Sequence, residues 1–328
     1  MSRSDSISRD DLTRLLDVLG RDMRIAGPVK EGRTVDYGIS SPDGLLMDDS
    51  VSYKSPKEFY FPQAERLMAF GGGTAEEEPA SEPFLIFGVR PCDLEGLRIL
   101  REIFLSGGYS DPFFRRRMEN NFIIGLGCVE RKEGCFCDKL GIDMRFSDFC
   151  DIMLEPDGES YHVEHLSGRG RAALAAVPQT AGVSCGVGRA ATAPPPALYL
   201  DENADEQRLF GVIDWEEAAF PCRGCGICTF ICPTCHCFEF KDSGRDGVIS
   251  RYRCWDSCMY PRFTLHASGH NPRSARHERY RQRVLHKYLY VRKNTGYTAC
   301  VGCGRCVRHC PAGMNIKDVA ESVMEASR

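Results

Sequence analysis

No run of about 18 apolar residues occurs in the 328-residue chain, which predicts that nothing in it spans a membrane. The N-terminus, Met1-Ser-Arg-Ser-Asp-Ser6, has no apolar h-region, so no secretion leader is expected and a reducing cytoplasm is the expected location. No Gly-x-Gly-x-x-Gly follows a strand pattern. Gly125-Leu-Gly127-Cys128 begins one but has no third glycine in place, which argues against flavin or NAD on this chain. Gly71-Gly-Gly73 lacks the lysine and following helix of a phosphate loop and reads, with Glu76-Glu-Glu78, as a flexible acidic loop. The histidines show no pairing with a nucleophile or an orienting carboxylate, so no catalytic residue is assigned.

Cysteine is what the chain has in excess: 18 of them, bunched rather than spread. In a chain this long, bunching points to metal rather than to disulfide stapling. Cys222-x2-Cys225-x2-Cys228-x3-Cys232-Pro233 recurs as Cys300-x2-Cys303-x2-Cys306-x3-Cys310-Pro311. Three thiolates at three-residue steps wrap one corner of an iron–sulfur cubane, and in two-cluster ferredoxins the cysteine before proline ligates the other cluster. The spacing therefore predicts two [4Fe–4S] clusters with crossed ligation. Cys222, Cys225, Cys228 and Cys310 would hold one; Cys300, Cys303, Cys306 and Cys232 would hold the other. A structural zinc site needs Cys-x2-Cys pairs well apart, whereas here four cysteines crowd into each eleven-residue stretch.

The net charge of -4 hides an asymmetry: from Glu216 onward there are 18 Lys+Arg against 10 Asp+Glu. A basic second half suits anionic clusters and an acidic docking partner, although a solvated helix face would explain much of it. Length leaves room for two domains of about 100–200 residues each. The expected architecture is an α+β N-terminal domain over 1–214 and an all-α, alpha-helical ferredoxin-like 4Fe–4S domain over 215–328.

Asp10 to Asp22 carries Leu12, Leu15, Leu16 and Leu19 at helical spacing. Strands are expected at Gly44–Met47, Phe84–Phe87, Phe122–Gly125 and Asp151–Leu154, the last turning through Glu155-Pro-Asp-Gly158 into Ser160–His165. Ala193-Pro-Pro-Pro-Ala197 reads as a stiff linker or strand entry, and Trp215 begins a short helix feeding Cys222. In the second half Asn271-Pro272 offers a helix start, Tyr280, Val284 and Tyr288 recur on one face, and Asn294-Thr-Gly296 ends the helix. Asn315 caps a last helix with Ile316, Val319, Ala320, Val323 and Met324 inward. The 67 residues between Cys232 and Cys300 exceed the loop of a compact bacterial ferredoxin, which suggests helices in place of its small sheet.

Ten cysteines lie outside the two runs. Cys92 follows a strand at a helix start, where a thiolate is stabilised. Cys128 follows the Phe122–Gly125 strand, and Cys135 and Cys137 share a turn. These four are candidates for a third cluster, with buried structural thiols as the alternative. Cys235, Cys237, Cys254 and Cys258 read as a further cluster, as thiols that tune cluster potential, or as packing. Cys150 and Cys185 are isolated and read as structural.

Several segments carry a family resemblance: Gly88-Val-Arg-Pro-Cys92-Asp93-Leu94, Cys135-Phe136-Cys137, Cys232-Pro-Thr-Cys235-His-Cys237-Phe238, Trp255-Asp256-Ser257-Cys258 and Gly269-His-Asn-Pro-Arg273. With the two ferredoxin runs they resemble the iron–sulfur subunits of cytoplasmic anaerobic oxidoreductases. Among these are the beta subunit of hydrogenase/sulfur reductase (sulfhydrogenase) and the iron–sulfur subunit of anaerobic sulfite reductase. The resemblance extends from about Val51 to the C-terminus. It implies an electron-transfer role, linking a flavin-containing electron-input subunit with a catalytic redox subunit, and a metal role for Cys92, Cys128, Cys135 and Cys137. Two rival readings remain from the residues. In one, the spare cysteines form a sulfur-chemistry site on this chain. In the other, the chain is a zinc-stabilised nucleic-acid-binding module, against the expectation of no nucleic-acid partner. The basic helix from Pro272 to Lys293, with Arg276, Arg279 and Arg283, is the expected docking surface.

Overall fold

A computed structural model describes residues 6–48, 50–79, 82–177 and 196–327. Cys185 and residues 193–195 of the proline-rich linker lie outside the described residues. The chain divides into two compact units. The first comprises Met1–Pro56, Ser81–Ala197 and Val301–Cys303; the second comprises Lys57–Ala80, Leu198–Cys300 and Gly304–Arg328. The boundary expected near Asp214 falls inside the second of these.

The first unit is built on a seven-stranded mixed sheet. Its strand order is Ser6–Ser8, Ser160–His165, Ile152–Asp157, Phe122–Leu126, Phe84–Val89, Arg24–Glu31, Thr34–Ile39. The four strands from Ile152–Asp157 to Arg24–Glu31 are parallel, and antiparallel strands close both edges. Continuous apolar runs such as Phe122-Ile-Ile-Gly-Leu126 suit interior parallel strands covered on both faces, and all five of these residues are buried. The helix Arg9–Leu19, capped by the Ser8 hydroxyl, turns Leu12, Leu15 and Leu16 into a core with Leu85, Phe87 and Ile124. The hairpin joining Ile152–Asp157 to Ser160–His165 closes at Asp157 opposite Ser160, with Gly158 at φ +61. Gly44–Met47 is not a strand: a 3-10 turn occupies Pro42–Gly44, and Leu45 and Met47 fill the core without joining a ladder.

The second unit has both helices and strands, so the all-helical expectation is corrected there. Helices cover Trp215–Ala219, Ile227–Phe230, Arg276–Leu285, Arg305–Arg308 and Ile316–Ser327. Beside them is a four-stranded antiparallel sheet in the order Phe238–Arg245, Val248–Trp255, Ala64–Gly71, Thr74–Glu77. Two glycine-bearing turns make these hairpins. Asp246 (φ 52) and Gly247 (φ 77) connect Arg245 to Val248, and Gly72 and Gly73, both left-handed, connect Gly71 to Thr74. Positive φ at both turn residues matches the right-handed twist of the flanking strands. The Gly71–Gly73 segment is thus a hairpin turn rather than a free loop.

The long helix begins at Arg276 rather than at Pro272, passes through a π-helical turn at His286–Tyr290, and ends at left-handed Gly296. The last helix begins as the sequence indicates: Asn315 accepts from the Lys317 N–H at 3.1 Å, and Ile316, Ala320 and Val323 are buried. Among the described residues no helix is long and apolar enough to cross a membrane.

Candidate metal centres

The two cysteine runs fold alike because they share glycines at matching places. Gly224 and Gly226 take left-handed conformations in Cys222-Arg-Gly-Cys-Gly-Ile-Cys228, as Gly302 and Gly304 do in Cys300-Val-Gly-Cys-Gly-Arg-Cys306. Each run then enters a short helix, Ile227–Phe230 or Arg305–Arg308. A side chain at Gly226 would place its Cβ 2.8 Å from the Tyr260 hydroxyl, so the loop closes tightly.

Cys222, Cys225, Cys228 and Cys310, with Cys306 beside them, line one cavity holding about 490 Å³ of space, part of it open to solvent. Cys310 belongs to the second run, so the tertiary fold brings its thiol to the first. Tyr280 and Arg283 line the same cavity, and among the described residues the Tyr280 hydroxyl and Arg283 Nε are buried without a hydrogen-bond partner. Unmet buried donors are costly. Their position beside five soft thiols fits an anionic iron–sulfur group, whose sulfurs accept such bonds. Gly224 N–H already donates to Cys222 Sγ at 3.4 Å. With only protein present, burial pushes the Cys228 thiol up to about 11, with the Arg283 guanidinium pulling the other way.

Cys232 lies near the same charged face of the long helix, where it acts on both Arg283 and Lys287. Its Sγ is 3.3 Å from Thr234 Oγ1, and Thr234 donates to the Ala299 carbonyl. Lys287 Nζ donates to Thr234 Oγ1 at 2.8 Å and to Ala299 O at 3.2 Å. A hydrogen bond from the Cys235 thiol, helped by Lys287 and Thr234, holds Cys232 well below the usual thiol range. Burial alone would lower the Lys287 pKa, but Cys232, Cys235 and Cys300 outweigh it and raise it. Cys300 acts on Tyr288, one residue further along the π-helical turn. That wider turn carries Lys287 and Tyr288 among the buried residues. Cys303 belongs to the first unit, where its carbonyl accepts from Cys135 Sγ at 3.3 Å.

In the first unit Cys92 sits at the start of the helix Pro91–Leu105, directly after the strand Phe84–Val89. Cys128 follows the neighbouring parallel strand Phe122–Leu126. Both cysteines therefore occupy the carboxyl edge of the sheet, the usual place for ligands in α/β sheets. Arg90, 2% exposed, fixes that edge by donating to Leu126 O at 3.2 Å, Gly127 O at 3.0 Å and Ser50 O at 2.9 Å. Burial, then the neighbouring Cys135 and Cys128, push Cys137 up to about 12. Phe136 N–H donates to Gly302 O at 2.8 Å, and a Cβ on Gly302 would lie 2.5 Å from Cys137 N. Cys150 is a packing thiol: it contacts Met153 Sδ at 4.0 Å, and burial raises its pKa.

The spare thiols divide. Cys235, Cys237 and Cys258 gather near Cys232, whereas Cys254 sits in a strand, opposite Glu239 and Ala64. Among the described residues no three His, Cys, Asp or Glu side chains are placed to hold one metal ion. The docking surface expected on the long helix is corrected. Arg276 is exposed, but Arg279, Arg283 and Lys287 are buried, with 7%, 3% and 3% of their surface exposed. Charge on that face points toward thiols instead of toward solvent. The sequence reading missed Lys57, a buried ammonium group that burial pulls down to about 8, against the pull of Cys235 and Cys232. The signal available for the helix was a run of basic residues four apart, Arg279, Arg283 and Lys287, beside the apolar stripe.

Residues 221–314 match the family of 4Fe–4S dicluster domains. The cysteine-lined cavity lies within that stretch and the last turn after it, so the chain is a dicluster iron–sulfur protein. It is also 32% identical over 319 residues to sulfhydrogenase 2 subunit beta of Pyrococcus furiosus, spanning 92% of each chain. The chain belongs to this hydrogenase/sulfur reductase beta-subunit family. No solved structure matches it.

Proposed function

We propose that the chain carries electrons inside a multisubunit cytoplasmic oxidoreductase, linking a flavin-containing input subunit with a catalytic redox subunit of hydrogenase/sulfur reductase or sulfite reductase type. Cys222, Cys225, Cys228 and Cys310 hold one [4Fe–4S] cluster; Cys232, Cys300, Cys303 and Cys306 hold the second. Cys92, Cys128, Cys135 and Cys137 hold a third. Bound clusters would supply one-electron exchange. The observation that carries this reading is the cavity in which Cys306 and Cys310 of one run meet the three thiols Cys222, Cys225 and Cys228 of the other.

The protein's own residues do the rest. Arg283 and Lys287, both buried, offset the negative charge of thiolate cages and so favour the reduced state. Tyr280 and the glycine-run amides offer hydrogen bonds to sulfur, which also raise potential. Val284 and Leu285 of the long helix, next to Arg283 in sequence, are fully buried and keep water from this part of the helix.

The test is anaerobic purification of the parent chain and of Cys310→Ser. The parent should contain iron and acid-labile sulfide and give paramagnetic signals on dithionite reduction. Cys310→Ser should perturb the cluster bound by Cys222, Cys225 and Cys228 while leaving the other signals intact. Zinc without sulfide in the parent would end the proposal.

A further inference from the structure

Lys57, 2% exposed, is buried in the second unit, which it joins from a segment far ahead of the first cysteine run. Its Nζ donates to Cys235 O at 2.9 Å and to Phe230 O at 3.5 Å. Those two carbonyls stand three residues after and two residues before Cys232. One nitrogen therefore gathers both ends of the loop 230–235, with Cys232 between them.

The surround of this ammonium group is built, not incidental. Nζ lies 3.8 Å from the centre of the Trp255 ring, a cation–π contact. That ring is itself fixed: Trp255 Nε1 donates to Phe61 O at 3.0 Å, and Phe61 stacks on it with centroids 5.8 Å apart. Carbonyls and a ring give partial charge only, and among the described residues no carboxylate pairs with Lys57. A cation buried in this way is costly unless an anion lies close by.

A second lysine holds the same loop at another point. Lys287 Nζ donates to Thr234 Oγ1 at 2.8 Å and to Ala299 O at 3.2 Å, and Thr234 Oγ1 is 3.3 Å from Cys232 Sγ. Ala299 precedes Cys300, so Lys287 joins this loop to the start of the other run. The loop that carries Cys232 is thus held by buried ammonium groups at its two ends and at Thr234. A cage of thiolates around iron and sulfide is anionic, and it supplies the counter-charge that Lys57 otherwise lacks.

We propose that Lys57 is a positioning residue for the second cluster: it fixes the loop that presents Cys232, and its buried charge raises that cluster's reduction potential. The proposal rests on the reading that Cys232, Cys300, Cys303 and Cys306 hold a [4Fe–4S] cluster, and its test separates the two. Anaerobic holoprotein is prepared as the parent, Lys57→Met, Lys57→Gln and Lys57→Arg, and each is taken through a redox titration followed by paramagnetic resonance. The second cluster is the signal that survives Cys310→Ser. Glutamine keeps a donor for the carbonyls but no charge, and arginine keeps both. In Lys57→Gln the ratio of reduced to oxidised second cluster at the parent's midpoint should fall about tenfold, or about 59 mV for one electron. The signal of the Cys222 set should keep its midpoint, and Lys57→Arg should stay near the parent. Lys57→Met should show the same shift or lose the second cluster alone; if it loses all iron, Lys57→Gln decides. A second-cluster midpoint unmoved in Lys57→Gln overturns the proposal, as does an equal shift of both signals or a shift in Lys57→Arg as large as in Lys57→Gln. A parent in which no signal survives Cys310→Ser removes the underlying reading instead.

Discussion

The two cysteine runs present their thiols from loops with the same glycine pattern, whereas Cys92, Cys128, Cys135 and Cys137 stand at a sheet edge and in a turn. Within the first run, spacing gathers Cys222, Cys225 and Cys228 at one cavity, which Cys306 and Cys310 of the other run also line. In the first unit Cys92 and Cys128 are 36 residues apart in sequence and share an edge only because two parallel strands are neighbours. The charge around the two sets also differs. Arg283 and Lys287 are buried among the thiols of the second unit, while Asp138 stands beside Cys137 in the first. Buried cations would favour added electrons at a cluster near the first set, whereas beside Cys137 the charge of Asp138 is already paired with Arg131 at 2.7 Å. The comparison teaches that similar thiol sets are given different electrostatic tasks by their supports.

The sharpest way to break it is Cys137→Ser. If the first-unit thiols hold a cluster, iron should fall by about four per chain, with the dicluster signals retained. Unchanged iron would leave Cys92, Cys128, Cys135 and Cys137 as packing thiols and confine electron transfer to the second unit. A smaller effect is expected from Arg283→Met. Removing a buried positive charge beside Cys228 and Cys306 should make reduction harder. At an effective dielectric of about 20 and a separation of about 5 Å the midpoint should drop by on the order of 100 mV. A spectroscopic redox titration measures this, and a potential that stays put would show that the helix charge is spent elsewhere.

The smallest expected effect concerns the metal-free chain. Cys137 and Cys228 have folded-state values pushed up to about 12 and about 11, against about 8.5 in an unfolded chain. The folded state therefore binds their protons more tightly, and the stability this contributes is present below about pH 8.5. It is lost as pH rises toward the folded values. Denaturant midpoints of the chelator-treated protein should fall between about pH 8.5 and about pH 11, while the cluster-loaded protein, its thiolates already ionised by metal, should not follow. Equal pH dependence in both would contradict the assigned ligands.

Much of the first unit was readable in sequence. Phe84–Val89, Phe122–Leu126 and the hairpin around Gly158 carry their own apolar runs and turn residues, and each forms where those signals lie. The second sheet was missed although Asp246-Gly247 and Gly72-Gly73 are strong hairpin turns, because its two outer strands are exposed and polar and show no apolar alternation. The segment Lys57–Ala80 could not be assigned to the second unit from sequence at all, since pairing between strands so distant along the chain leaves no local mark. The long helix was found, but its basic residues were read as a solvent face. Helical periodicity reports which residues share a side and says nothing of what that side meets.

Cysteine spacing by itself determined the chemistry, because a thiol triplet at three-residue steps needs only a short loop and its glycines to surround a metal corner. The apolar strands and the last helix were likewise dictated locally, by side-chain period and caps. Tertiary structure alone decided that Cys92 and Cys128 share an edge, and that Lys57, Arg283 and Lys287 turn inward. Charge burial and long-range pairing depend on which surfaces meet after the chain collapses, and no window of sequence contains both partners.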